Sequence, residues 1–254
     1  MCNQFKPHVP PVLFSVVRDF PLYNACIRQN PFCEELNILL TDNSKENKAI
    51  PVRYNEFLDS YDFSRQTWFV FCHEDFEICE CIVPILNTLS PDFLYGPIGC
   101  ARKGFFPFRH QAFLGLITEQ KRGGSGEVWS VGRPVKPNTE VETFDCCCLI
   151  VHSTLIEKYH LRFDEKLLFD LYVEDFCATA KVKCGIHSRI LPFKAIHHSG
   201  SQPTERLYRH LPYLKQKYPH DFFCASCTYF GTPSRLTRIE QQLAALLRHI
   251  VARK

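Results

Sequence analysis

The residues Trp68-Phe69-Val70-Phe71-Cys72-His73-Glu74-Asp75 give the strongest indication of a fold in this chain of 254 residues. Its first five residues form a short apolar run, which is typical of a strand buried on both faces. Such strands belong to sheets covered by helices, in which ligands bind where the carboxyl ends of the strands meet. His73 and Asp75 lie two residues apart just past that end. In an extended backbone both side chains therefore point the same way and reach one divalent cation.

Short apolar runs and segments of helical periodicity alternate along the rest of the chain. The predicted strands are Val12–Val17, Leu36–Leu40, Trp68–Cys72, Cys146–Val151 and Arg189–Ile196, and the predicted helices are Tyr23–Gln29, Tyr54–Tyr61, Cys81–Leu89, Thr154–Tyr159 and Glu174–Cys184. This order predicts an α/β fold with a mainly parallel central sheet and helices on both faces. We expect that domain to span residues 1–200, followed by a basic helical C-terminal appendage over 201–254. Residues 102–143, with their glycines and prolines, are interpreted as long inserted loops.

Polar residues also follow two other predicted strands. Asp42 comes after Leu36–Leu40 in a Thr-Asp-Asn-Ser cluster, where it either forms an Asx turn or faces the site. His197 and His198 follow Arg189–Ile196. Because adjacent side chains on a strand face opposite ways, one of these histidines joins the site and the other packs elsewhere or faces solvent.

Three acids, Asp170, Glu174 and Asp175, surround the start of the last predicted helix of the sheet domain. The helix dipole favours acids at this position, which is a sufficient structural explanation for one of them. A carboxylate there is also well placed to act as a general base at the same edge of the sheet.

The order of these motifs resembles the family-2-type glycosyltransferases over residues 11–200. The resemblance rests on the Asp-Asn-Ser turn, the Tyr54-Asn55 helix, the Trp68–Asp75 stretch, Phe163-Asp164-Glu165, Glu174-Asp175-Phe176 and His197-x-Ser199-Gly200. The resemblance is strongest for the branch of the family that has a His-x-Asp triplet in place of Asp-x-Asp. It implies a GT-A fold and an inverting transfer of a sugar from a UDP-, dTDP- or GDP-sugar to a hydroxyl of a saccharide or glycolipid, in surface polysaccharide synthesis.

The resemblance also implies roles for individual residues. Mn²⁺ or Mg²⁺ would be held by His73, Asp75 and His197, and the histidine nitrogens suit Mn²⁺ better. The donor would be bound by Ser15, Arg18, Asp42, Asn55 and Glu74, and Asp145 would lie on the acceptor side. The candidates for the base are, in order of preference, Asp175, Glu174 and Asp170. Val173 stands where relatives often carry an aspartate, so the alternative is a non-catalytic nucleotide-binding or scaffold protein of the same fold.

The 14 cysteines do not predict a disulfide framework. The first residues lack a signal-peptide pattern and no run of 18 apolar residues occurs, so we expect a cytoplasmic protein with reduced thiols. Cys224-x-x-Cys227 leaves open a zinc site, and most other cysteines are interpreted as small buried residues.

The net charge of +3 is concentrated at the C-terminal end of the chain. Residues 201–254 hold nine Lys and Arg against three Asp and Glu, so the pattern does not indicate a nucleic-acid-binding face. Residues 235–254 have the periodicity of an amphipathic helix. We expect this helix to pack on its own domain, to form a dimer, or to contact the anionic inner face of a membrane.

Overall fold

The computed structural model describes residues 9–121, 126–199 and 205–251. The strands are β1 (Val12–Val17), β2 (Asn37–Asp42), β3 (Trp68–Cys72), β4 (Phe76–Ile78), β5 (Leu94–Gly96), β6 (Ile98–Lys103), β7 (His110–Gln120), β8 (Val128–Arg133), β9 (Glu140–Val141), β10 (Thr143–Phe144), β11 (Cys148–His152), β12 (Ser188–Ile190), β13 (Ala195–His197), β14 (Phe222–Cys224) and β15 (Tyr229–Gly231). The α-helices are α1 (Phe20–Tyr23), α2 (Ile50–Ser60), α3 (Val83–Leu86), α4 (Ser153–Tyr159), α5 (Tyr172–Cys184), α6 (Glu205–Lys217) and α7 (Arg235–Val251). A π-helical turn covers Asn24–Arg28, and 3₁₀ turns cover Pro31–Cys33 and Glu165–Leu167.

The central sheet has the strand order β2-β1-β3-β11-β5-β12-β9. β1 runs parallel to both β2 and β3, whereas β11 pairs antiparallel with β3 and with β5. The predicted α/β fold is confirmed, and its sheet is mixed instead of mainly parallel. The carboxyl ends of β1 and β3 meet at one edge, as the sequence pattern requires for a site.

Alternate side chains of β3 enter two separate cores, one on each face of the sheet. Phe69 and Phe71 pack with α2, while Val70 and Cys72 pack with the segment around the π-helical turn. On the first face, the ring of Phe14 stacks on Phe57 of α2 with 4.3 Å between centroids. All five residues of β3 are buried, which explains why the run is continuously apolar.

The prediction of long loops over residues 102–143 is wrong. β6, β7 and β8 form an antiparallel part of a second sheet, in which β7 also pairs with β13. The glycines in this region mark close approaches between strands. A Cβ on Gly115, whose φ is +87°, would lie 2.0 Å from the Pro97 carbonyl oxygen. Composition alone does not distinguish a glycine at a close contact between strands from a glycine in a loop.

The predicted strand Arg189–Ile196 is two strands in two sheets. β12 pairs with β5 and β9 in the central sheet, and β13 pairs with β4 and β7 in the second. Pro192, which has no backbone N–H to donate, lies in the connection between them. The crossing brings His197 opposite Phe76, directly beside the polar residues that follow β3.

The C-terminal region contains a hairpin, β14–β15, between its two helices, where only helix was predicted. Leu207, Leu214 and Tyr218 of the α6 region are buried in the core that also holds α5. In α7, by contrast, Leu236 is 57% exposed and Leu246 is 59% exposed. Among the described helices, none combines the length and apolar character that crossing a membrane requires.

Candidate functional site

His73, Asp75 and His197 meet where β3 ends and β13 ends. The Oδ1 of Asp75 lies 3.5 Å from Nε2 of His197 and 3.9 Å from Nδ1 of His73. The rings of the two histidines are 5.8 Å apart between centroids. The structure thus brings together all three residues that were predicted to hold a metal ion.

The outer nitrogens of both histidines are held by further polar groups. Nε2 of His73 is 2.6 Å from the hydroxyl of Tyr172, and Nδ1 of His197 is 3.4 Å from Oε1 of Glu119. Burial lowers the pKa of His73 below its usual range. Burial also disfavours charge on His197, but hydrogen bonds to Asp75 and Glu119 outweigh it and raise the pKa of His197 to about 10.

The donor set of this cluster fits a divalent cation. One carboxylate oxygen and two imidazole nitrogens lie within 4.8 Å of one another, which is the spacing of atoms that share one ion. Two nitrogens and one oxygen suit Mn²⁺ better than Mg²⁺, which prefers oxygen ligands. Glu119 and Tyr172 hold the rings of His197 and His73 in the way that outer-shell partners hold histidines in metal sites.

A cleft of about 270 Å³ opens beside the cluster, at the carboxyl ends of β1 and β3. Arg18 and Glu74, two of the predicted donor-binding residues, line it together with His73 and Asp75. The carboxylate of Glu74 accepts hydrogen bonds from the backbone N–H groups of Arg18 and Asp19. Glu74 therefore fixes the turn after β1 as well as bordering the cleft.

The other predicted donor-binding residues lie outside the residues that line this cleft. Ser15 is fully buried in β1, where its hydroxyl contacts the Sγ of Cys72. Asp42 is exposed and accepts hydrogen bonds from Ser44, so it forms the Asx turn. Asn55 clamps α2 to Phe163, exchanging hydrogen bonds with both the N–H and the C=O of that residue.

Asp145, which precedes β11, lies between the His73–Asp75–His197 cluster and Glu174 in its electrostatic contacts. Asp145 interacts electrostatically with both histidines of the cluster and with Glu174. Glu174 accepts hydrogen bonds from the Cys146 thiol at 2.9 Å and from the Ser226 hydroxyl at 3.1 Å. Burial, and secondarily the charge of Asp145, raise the pKa of Glu174 to about 8.

Asp175, the first choice for the base, faces α6 instead. It is 1% exposed, and its carboxylate accepts hydrogen bonds from Lys217 at 2.8 Å and from the Tyr218 hydroxyl at 2.7 Å. Asp170 forms an ion pair with Arg206 of α6. Of the three acids, Asp170 and Asp175 pair with side chains of α6, whereas Glu174 interacts with Asp145.

Several residues of this region are absent from the sequence-based prediction. Glu119 was missed because β7 was interpreted as loop, and Ser226 because it lies in a turn of the C-terminal region. Tyr172 lies two residues before Glu174, in the first turn of α5, and its approach to His73 depends on how that helix packs. Apart from this proximity to the acid cluster, no sequence signal indicates its role.

The Cys224-x-x-Cys227 pair does not form a metal cluster among the described residues. The side chain of Cys224 is buried and contacts Cys100, whereas Cys227 is exposed. The clusters of His, Cys, Asp and Glu with metal-binding spacing in the described ranges number two, and neither includes these cysteines.

Comparison with known proteins supports the fold. No protein-family model and no curated protein matches the sequence. The structure of TarS 1-349 from S. aureus, a glycosyltransferase, matches with a TM-score of 0.51 at 11% identity, covering 92% of this chain and 69% of that chain. A second TarS structure gives a TM-score of 0.50 at 11% identity, covering 93% of this chain and 42% of that chain. The chain therefore has a GT-A-type α/β fold like that of a glycosyltransferase.

Proposed function

We propose that this chain is a metal-dependent glycosyltransferase that moves a sugar from a nucleotide-sugar donor to an acceptor hydroxyl with inversion. The observation that carries the proposal is the His73–Asp75–His197 cluster at the carboxyl edge of a GT-A-type sheet. The adjoining cleft of about 270 Å³ supplies room for part of a donor. UDP-, dTDP- and GDP-sugars are the candidate donors, and a saccharide or glycolipid is the acceptor class.

The three residues of the cluster, together with Arg18 and Tyr172, have chemical tasks in this proposal. A divalent cation, Mn²⁺ or Mg²⁺, would stabilise the charge of the departing diphosphate. His73, Asp75 and His197 would hold that ion. The guanidinium of Arg18 at the cleft would contact the same phosphates, because Arg binds phosphate oxygens through several N–H donors. Tyr172 keeps the ring of His73 oriented.

Glu174 is the base that we now prefer. A base with a pKa near the working pH combines a useful ionised fraction with a strong pull on the proton. The pKa of Glu174, about 8, meets this condition, and its neighbour Asp145 is the residue that the family resemblance assigns to the acceptor side. Asp175 and Asp170 are engaged in ion pairs with α6. In this proposal Glu174 takes the proton from the acceptor hydroxyl as that oxygen attacks the anomeric carbon.

We further propose that α7 contacts an anionic membrane surface on the cytoplasmic side, where surface polysaccharides and glycolipids are assembled. Leu236, Ile239 and Leu246 expose an apolar face. The ion pair of Arg109 with Glu240 holds this helix beside the exposed Phe105–Phe108 turn. Arginines on α7 supply the positive charge that such a surface attracts. Residues 1–200 would then carry the reaction and 201–254 the attachment.

A non-catalytic relative is the second candidate. Val173 is buried in the position that relatives often give to an aspartate, and Glu174 itself is only 2% exposed. A protein of this kind would bind nucleotide without turning over the sugar donor.

The two candidates are separated by donor hydrolysis with a panel of UDP-, dTDP- and GDP-sugars and Mn²⁺, combined with calorimetry using the free nucleotides. Turnover supports the transferase, whereas nucleotide binding without any turnover across the panel supports the non-catalytic relative.

A further inference from the structure

A second cluster of His, Cys and Glu side chains lies on the opposite side of the β4–β13 strand pair. The Sγ of Cys26, a carboxylate oxygen of Glu77 and a ring nitrogen of His198 all lie within 4.8 Å of one another. Nε2 of His198 is 2.9 Å from Oε2 of Glu77. These three residues are distinct from the cluster proposed to serve the sugar donor, and their donor set differs by including a thiol.

Strand geometry explains why the two side-chain clusters lie back to back. In the antiparallel pairing, His197 lies opposite Phe76 and Ile196 lies opposite Glu77. Alternation then places His197 on one face of the strand pair, and Glu77 and His198 on the other. The backbone N–H of His198 donates to the carbonyl of Asp75 at 2.9 Å, which keeps the alternation in register one residue past β13.

The third residue is presented by an unusual backbone segment. Cys26 lies within the π-helical turn Asn24–Arg28, and π-helical turns occur frequently at functional sites. The side-chain amide of Asn30 donates to the carbonyl of Cys26 at 3.0 Å and to that of Ile78 at 2.8 Å. These two hydrogen bonds fix the π-helical turn against β4 and place the Sγ of Cys26 beside Glu77.

We propose that Cys26, Glu77 and His198 form a zinc site that fastens the π-helical turn to the β4–β13 pair. A thiolate, an imidazole and a carboxylate are the ligands that Zn²⁺ takes in proteins, and the thiolate favours zinc over Mn²⁺. Three protein ligands leave the fourth tetrahedral position to water. Binding replaces the proton of the Cys26 thiol with the metal, and that proton is released to solvent.

The accessibility of the cluster fits a site that loads from solution. The side chains of Glu77 and His198 are 35% and 20% exposed, while Cys26 is 2% exposed. An ion can therefore reach Glu77 and His198 from solvent, whereas the Sγ of Cys26 is shielded from solvent. Because His198 follows His197 directly and bonds to Asp75, an ion here would also stiffen the backbone that carries the first cluster.

Cobalt substitution of the full chain tests the site without any sugar or nucleotide. Thiolate ligation of Co²⁺ gives an intense charge-transfer absorption in the near ultraviolet, which ligation by histidine and carboxylate alone does not. We expect this absorption in the wild-type protein and in Asp75→Ala, which removes a ligand of the other cluster. We expect it to be retained in Cys227→Ser, a control for the remaining cysteine pair, and lost in Cys26→Ser.

His198→Ala and Glu77→Gln provide variants at partly exposed positions, where misfolding is less of a concern. Each is expected to weaken Zn²⁺ binding at least about tenfold, measured by competition with a chromophoric chelator in the Asp75→Ala background. Absence of the thiolate band from the wild-type protein, or its persistence in Cys26→Ser, would overturn the proposal. Neither result depends on whether the chain transfers a sugar.

Discussion

The Oδ1 of Asp75 lies 3.5 Å from Nε2 of His197, although the two residues belong to distant parts of the sequence. The contact exists because the chain leaves the central sheet after β12 and enters the second sheet as β13. Asp75 lines a cleft at the ends of β1 and β3, and His197 is in contact with Asp75. This relationship underlies the proposed metal and donor site.

Removal of Asp75 tests that site at the level of metal binding. We expect Asp75→Ala to weaken Mn²⁺ binding by at least about 100-fold, because it removes the only anionic ligand of the proposed His73–Asp75–His197 set. Isothermal titration with Mn²⁺ measures the effect, and Asp92→Ala, which removes an exposed carboxylate elsewhere, is the control. Equal Mn²⁺ affinities for wild type and Asp75→Ala would rule out the role of Asp75.

The role of Glu174 predicts a pH dependence. Burial raises the pKa of this carboxyl to about 8, so its ionised, proton-accepting fraction grows as the pH rises through that value. The transfer rate of the wild-type protein should therefore increase up to about pH 8. Glu174→Gln should lower the rate by about 10²- to 10⁴-fold and abolish this rise. Glu157→Gln, at an exposed position, should keep it, and an unaltered pH profile in Glu174→Gln would exclude Glu174 as the base.

The contacts of Asp175 predict an effect on stability. Lys217 lies 2.6 Å from Asp164 and 2.8 Å from Asp175, whose side chain is 1% exposed. Lys217→Ala leaves that buried carboxylate without its cation and should lower the free energy of unfolding by about 3 kcal/mol.

Urea denaturation measures this change, with Arg209→Ala as the matched control. Arg209 pairs with Glu205 on an exposed surface, so its loss should cost less than about 1 kcal/mol. If the two variants lose the same stability, the α5–α6 ion pair does not have the structural role assigned to it.

The exposed face of α7 predicts membrane attachment. The full chain should sediment with vesicles of anionic phospholipid and much less with neutral vesicles. Leu236→Glu should weaken this binding about tenfold or more, because burying a leucine side chain is worth about 1.5–3 kcal/mol. Val182→Glu changes an exposed apolar residue of α5 and should have little effect. A dimer in solution that Leu236→Glu dissociates, with no vesicle binding, would assign the face to a second copy of the chain.

The site was predictable from the sequence where it depends on single strands. A continuously buried apolar run followed by His73 and Asp75 indicates both β3 and the polar edge beyond it. Strand alternation likewise indicates that only one of His197 and His198 joins these residues. The structure agrees on the position of the cluster, and its role as a metal site stays a prediction.

The second sheet and the choice of the base depend on packing between segments that are distant in the sequence. The periodicity of the sequence does not predict such packing. Gly115 and Gly132 allow close strand approach in the second sheet, yet by composition they indicate loop. The hairpin that carries Glu119 was therefore not predicted. The choice between Asp175 and Glu174 as the base depends on which of the two side chains faces α6. That helix lies outside the region of family resemblance.

The proposed metal-dependent sugar transfer is tested most sharply by donor hydrolysis with the wild-type chain and with Asp75→Ala, using UDP-, dTDP- and GDP-sugars in the presence of Mn²⁺. We expect turnover of at least one donor by the wild-type protein, loss of that turnover on chelation of the metal, and a fall of at least about 100-fold in Asp75→Ala. No turnover of any donor by the wild-type protein, or equal turnover in Asp75→Ala, would contradict the proposed transfer.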